Sequence, residues 1–232
     1  MSRPMISPSL RDRLNRSRWL ILAELALAIT AFVADQAGLI WFSKTLYLLV
    51  PATLSLWVRG IGWRGVGLTL KGRWPLILML GVGGGAAIEA LELFVTQPLL
   101  VRLTGEPPDL SDFKILIGNT KYLLLGLGLT WTLAAFGEEM VYRGWLMNRA
   151  AQLFGDGRTA WIASLASISL LFGFAHGYQG VTGVTENALN GLWLGLIYLA
   201  AGRNLMAPII AHGITDSIDL LLIWSNHYPT PI

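Results

Sequence analysis

"YLLLGLGLTWTLAAFGEEMVYRGW", Tyr122 to Trp145, is the stretch on which the reading of this chain turns. It begins with an uncharged apolar run, Tyr122 to Ala135, and then sets two adjacent carboxylates, Glu138 and Glu139, and a guanidinium, Arg143, at its end. A buried ion without a partner costs several kcal/mol, so such a placement persists only where pairing or function compensates for it.

The rest of the chain says which solvent this run meets. Of 232 residues, 54% are hydrophobic and 13% are charged, with a mean hydropathy of +0.57. Soluble domains carry about 25% charged residues, so 13% cannot cover a water-facing surface. The expected fold is therefore all-α, a polytopic bundle of membrane helices. The chain has no cysteine, which excludes disulfides, thiol nucleophiles and cysteine-held metals. The net charge of +3 does not point to nucleic acid, because the basic residues flank the apolar stretches.

Seven stretches are long enough to cross a bilayer, at about 17–25 residues each. They lie near 19–36, 40–58, 74–101, 117–150, 159–177, 184–202 and 204–225, and an eighth, half-buried segment is compatible with the pattern. A basic segment, 1–18, precedes a single transmembrane domain, 19–232. Basic residues test the count, because loops rich in Lys and Arg stay in the cytoplasm. With a cytoplasmic N-terminus, Arg3, Arg11, Arg13, Arg16, Arg18, Arg59, Arg64, Lys71, Arg73, Arg149, Arg158 and Arg203 fall inside. Lys44, Arg102, Lys114 and Lys121 fall outside, beside Glu106, Asp109 and Asp112. This asymmetry predicts a cell-membrane protein with its N-terminus in and its C-terminus out.

The polar residues inside these stretches are few. At about 100° per residue, Glu139 and Arg143 share a face one turn apart, in the order that favours an ion pair. Glu138 points some 100° away and is left as the free carboxylate. "FGFAH", Phe172 to His176, sets an aromatic ring on the same face as an imidazole. "HGITD", His212 to Asp216, does the same for an imidazole and a carboxylate, an arrangement that suits orientation of the ring. Alone, the first pair and His176 read as helix-end polar groups, though that leaves Glu138 unexplained; His212, flanked by apolar residues and beside Asp216, is harder to dismiss. Together, Glu138, His176, His212 and Asp216 come from three helices and can converge on one pocket, expected near the cytoplasmic end of the fourth stretch. Glu24 has no partner evident in the sequence; Glu89 and Glu92, one turn apart, are candidates for the same cavity. "GVGGGAA", Gly81 to Ala87, reads as a close helix–helix contact, and Ser164 as a packing residue.

These three motifs resemble the Glu-Glu-x-x-x-Arg, Phe-x-x-x-His and His-x-x-x-Asn/Asp motifs of the CPBP intramembrane proteases. That family includes the CAAX prenyl endopeptidases and the bacterial bacteriocin-processing and immunity (Abi) group. The resemblance covers about residues 120–225. Asp216 stands where the prenyl endopeptidases usually carry Asn, so prenyl-protein processing does not follow. The signatures of site-2, rhomboid and presenilin-like proteases are absent from the sequence.

The resemblance implies an endopeptidase acting on a membrane-associated protein or peptide at the lipid bilayer, in a bacterial inner membrane. Glu138 activates water that His176 helps to hold, and His212 with Asp216 positions it or stabilises the oxyanion. Glu139, Arg143 and Phe172 support the site. Glu138, His176 and His212 are also a set that a divalent metal such as zinc accepts, with water in the fourth position. A metal-free reaction through Glu138 and His176 stays equally open. The rival reading is a non-enzymatic protein, a proton-coupled transporter or immunity-type binder that uses the same pocket. Such a transporter usually shows internal pseudo-symmetry, whereas here the polar residues crowd into the second half.

Overall fold

The computed structural model describes residues 7–155 and 157–230; Arg3 and Ile232, which enter the topology reading, lie outside them. The described residues contain helices and loops and no strand. The basic leading segment carries a short helix, α1 (Pro8–Arg16), which Ser7 caps by accepting from the Leu10 amide. Then follow α2 (Arg18–Gln36), α3 (Lys44–Val58) and α4 (Trp74–Thr104). A long helix α5 covers 120–154. It is followed by α6 (Arg158–Phe174), α7 (Gly180–Ala200) and α8 (Met206–Trp224).

Helices α2 to α8 fall on the seven apolar stretches. By length and apolarity, α2, α4 and α8 can each cross a membrane, and α6 with α7 makes a fourth candidate as a pair bent by 61°. The apolar α3 is shorter, at 15 residues.

Loops gather at two ends. At one, Arg59 donates to the Leu14 carbonyl, the Gln152 amide to Asn15 O, and Leu205 N to Gly67 O. At the other, the Gln36 amide donates to Ala175 O, Asp109 N to Gln179 O and Gly118 N to Trp224 O. The first end holds Arg11, Arg13, Arg16, Arg59, Arg64, Lys71, Arg73, Arg158 and Arg203, so the charge asymmetry of the sequence is an asymmetry of the folded molecule. Glu24 does have a partner: its Oε1 accepts from Arg59 at 2.8 Å and from the Ser55 hydroxyl at 2.9 Å. That partner is 35 residues away, at the end of a different helix, which is why no local pattern reveals it.

In lipid, helices associate through close packing and polar ties rather than through removal of apolar surface from water. The largest buried cluster surrounds Tyr142, Trp145, Leu56 and Phe172, between α2, α3, α5 and α6. The glycine step on α4 acts as expected. A Cβ on Gly81 would lie 2.8 Å from Ile210, and one on Gly85 only 2.5 Å from Ala211 O. These contacts seat α8 against α4 at the turn that carries His212. Ser164 ties α6 to α5 by donating to Met147 O at 2.6 Å.

Candidate active site

Helix α5 departs from α geometry where the charged residues begin. Thr130–Glu138 and Met140–Leu146 wind as π-turns. In such turns the amide bonds to the carbonyl five residues back, and they occur mostly at functional sites. Each residue then rotates by less than the 100° assumed above, so the angular separations on this face differ from the α-helical estimate. The Glu139–Arg143 pair survives this change, at 2.6 Å, with Glu139 wholly buried and Arg143 2% exposed. Arg143 also donates to Gly191 O of α7 at 2.8 Å, and its guanidinium lies 4.9 Å from the centre of the Phe172 ring.

Glu139 does more than hold Arg143. Its Oε1 also accepts from His212 Nδ1 at 2.9 Å. The other ring nitrogen, Nε2, lies 3.5 Å from Asp216 Oδ1. His212 is thus fixed between two carboxylates, one on α5 and one on its own helix. The i,i+4 spacing predicts the second contact; the first joins residues 73 apart and has no sequence signal.

His176 lies just past the end of α6, where its Nδ1 is 2.8 Å from Phe172 O. A carbonyl can only accept, so Nδ1 carries the proton and Nε2 is left with its lone pair. Phe172 is the aromatic hub between the two imidazoles, with ring centres 4.9 Å from His176 and 5.9 Å from His212.

Glu138 is half-buried, and its Oε1 accepts from the Thr45 hydroxyl at 3.4 Å. Gly137 permits this approach, since a Cβ there would meet the Thr45 methyl at 2.9 Å. Thr45 is a neighbour that the sequence did not single out.

A cavity of about 470 Å³ is lined by Glu138, His176, His212 and Asp216 together. One wall is apolar, with Leu125, Leu129, Leu133 and Leu220. The other is polar, with Glu92, Asn190 and Asp219. Of the two α4 acids, Glu92 reaches the cavity and accepts from Asn190 at 2.5 Å, while Glu89 is buried behind it. The position of the cavity corrects one expectation. Its lining includes Leu110, Asp112, Leu116, Tyr122 and Gln179, from the end opposite the basic loops, and on α5 it reaches only to Glu138. Position along the fourth stretch is a poor guide, because α6 ends at Phe174 and sets His176 beside the loop at the other end. Near Leu110, hydrogen bonds from the Ser111 hydroxyl and amide hold the Asp109 carboxyl below its ordinary range.

The donor set does not fit a metal as it stands. Among the described residues, no three His, Asp or Glu side chains assemble as ligands. His212 has Nδ1 committed to Glu139 and Nε2 facing Asp216, and the Glu139 oxygen that holds Nδ1 also accepts from Arg143.

Comparison with protein families gives a match over residues 120–218 to the family described as type II CAAX prenyl endopeptidase Rce1-like. The match spans α5 to α8 and contains all three motifs, so the resemblance read from them holds over this segment. No curated protein and no solved structure matches the chain.

Proposed function

We propose that this chain, a CAAX-type protease of the Rce1-like family over residues 120–218, hydrolyses a peptide bond of a membrane-associated protein or peptide with Glu138 as its base. The observation that carries the reading is the single cavity that Glu138, His176, His212 and Asp216 line beside the buried Glu139–Arg143 pair. A water between Glu138 and His176 Nε2 gives its proton to Glu138 as its oxygen attacks the carbonyl carbon. The doubly protonated His212 ring, steadied at Nδ1 by Glu139, turns Nε2–H to the oxyanion, with Asp216 alongside. Glu138 returns the proton to the leaving amine.

The same proposal places all seven helices, α2 to α8, across a bacterial cell membrane, with the basic end in the cytoplasm as cation-rich loops require. The cavity then opens toward the other side. Reporter fusions after Arg73, Pro107 and Arg158 should read in, out and in; the reverse pattern overturns the orientation. For the chemistry, purified protein in lipid nanodiscs should cleave a membrane-peptide library, and Glu138→Gln should not. The second reading, a non-enzymatic proton-coupled transporter or immunity-type binding protein, draws on Glu89, Glu92 and Asp219, which hydrolysis does not use. Cleavage by the purified protein at sites lost in Glu138→Gln decides against it.

A further inference from the structure

The basic end holds a second cavity, of about 570 Å³, remote from the catalytic one. Arg64, Lys71, Arg73 and Arg203 line it, and among the described residues no Asp or Glu does. Cation-rich loops beside a membrane are commonplace, and a scatter of them is no site. Here the loop 62–73 and the turn between α7 and α8 are bound into one frame. Leu205 N donates to Gly67 O, and the Asn204 amide donates to Thr69 O and Lys71 O. Tyr198 donates to Val66 O, while the Asn148 amide bonds the same Tyr198 oxygen. The two segments touch so closely that a Cβ on Gly67 would lie 1.9 Å from Arg203 O, and Gly67 sits at φ +103°. Arg203 is itself left-handed, at φ +63°, a conformation that costs a branched-free residue other than glycine strain. Its guanidinium rests 5.0 Å from the Trp161 ring centre. Arg64, Lys71 and Arg73, with Arg203 alongside on Trp161, ring a fixed concavity that holds no acid among the described residues, a receptor for a phosphate group.

The surroundings indicate which phosphate. Leu70, Trp74 and Leu78 are exposed and lead from the cavity along the start of α4, with the Trp74 ring N–H donating to Leu70 O. Tryptophan at a helix end marks the headgroup level of a bilayer, and the leucines continue into its apolar part. A soluble phosphate compound has no use for such a strip; an acyl chain does. We infer that the cavity lined by Arg64, Lys71, Arg73 and Arg203 binds the headgroup of an anionic phospholipid, with its chains lying along Leu70, Trp74 and Leu78. The inference is independent of whether the protein cuts peptides.

The test compares nanodiscs of phosphatidylcholine alone with nanodiscs that also contain phosphatidylglycerol. The wild-type protein should unfold at a higher temperature in the second, and native mass spectrometry should find phosphatidylglycerol retained after detergent extraction. Arg64→Gln and Arg73→Gln should each weaken retention about fivefold, the equivalent of about 1 kcal/mol per basic residue at a membrane surface. Arg13→Gln and Arg158→Gln, at the same end outside the cavity, should leave it unchanged. Soluble glycerol phosphate, added to the phosphatidylcholine sample, should not raise the unfolding temperature. If it does so as well as the lipid, the lipid assignment is overturned in favour of a soluble ligand. Equal retention of both lipids, or equal loss in all four variants, overturns the site.

Discussion

Two buried glutamate–arginine pairs in the two halves of this molecule have the same chemistry and different consequences. Glu24 and Arg59 join α2 to the end of α3, and their remaining bonds go to the Ser55 hydroxyl and the Leu14 carbonyl. That network ends in packing. Glu139 and Arg143 lie within α5, and the shared Glu139 oxygen continues to His212 on a cavity wall, one residue from the half-buried Glu138. A buried ion pair is therefore not in itself a sign of a reactive site. What distinguishes the second is a neighbouring carboxylate that pairs with no cation among the described residues, and an imidazole hung from the pair.

The comparison can be broken most directly at Glu138. Glu138→Gln should lower the rate of peptide cleavage by about 10²–10⁴-fold, the usual worth of a general base, while the thermal unfolding midpoint stays near wild type. A rate near that of wild type would remove Glu138 from the mechanism.

Next come the two pairs themselves. Arg59→Gln and Glu139→Gln each strand a buried charge or its partner, with an expected cost of about 3–5 kcal/mol in stability. Their activities should part. At a temperature where both variants remain folded, Arg59→Gln should cleave at close to the wild-type rate. Glu139→Gln should be slower by about tenfold or more, because an anionic acceptor that fixes the His212 ring becomes a weaker, neutral amide oxygen that Arg143 also claims. Equal rates in the two folded variants would reduce Glu139 to a structural residue.

The smallest expected effect is that of metal removal. Chelation of the purified protein should leave the cleavage rate unchanged. A loss that zinc restores would show that Glu138, His176 and His212 rearrange into a ligand set.

The sequence made much of this legible. Long apolar stretches mark helices because backbone groups in lipid must bond within their own segment, and α2 to α8 lie where those stretches lie. The Glu139–Arg143 contact and the nearness of His212 to Asp216 are i,i+4 relations, which any helix delivers. The Glu24–Arg59 and Glu139–His212 contacts join separate helices and follow from packing, which a single sequence does not display. The π-turns of α5 were invisible for another reason: they depend on how the helix is held by its neighbours, and an estimate of 100° per residue presupposes their absence. The cavity lies at the other end from the one expected because the end of α6 at Phe174, not depth along α5, sets where His176 meets it.

The break between α6 and α7 has a last consequence, which concerns hydration. Hydrocarbon offers nothing to a peptide unit that leaves helical geometry, so such units persist at depth only against protein or a water-filled space. Between Phe174 and Gly180 the chain leaves α geometry, with a 3-10 turn at Gly177–Gln179, bends by 61° and lays His176, Tyr178 and Gln179 along the cavity. Hydrolysis consumes one water for every bond cut, and a bilayer interior supplies none. A continuous helix through this point would have been easier to build and would have kept the site dry. On the proposed function, this interruption is where water, the second reactant, would reach the site.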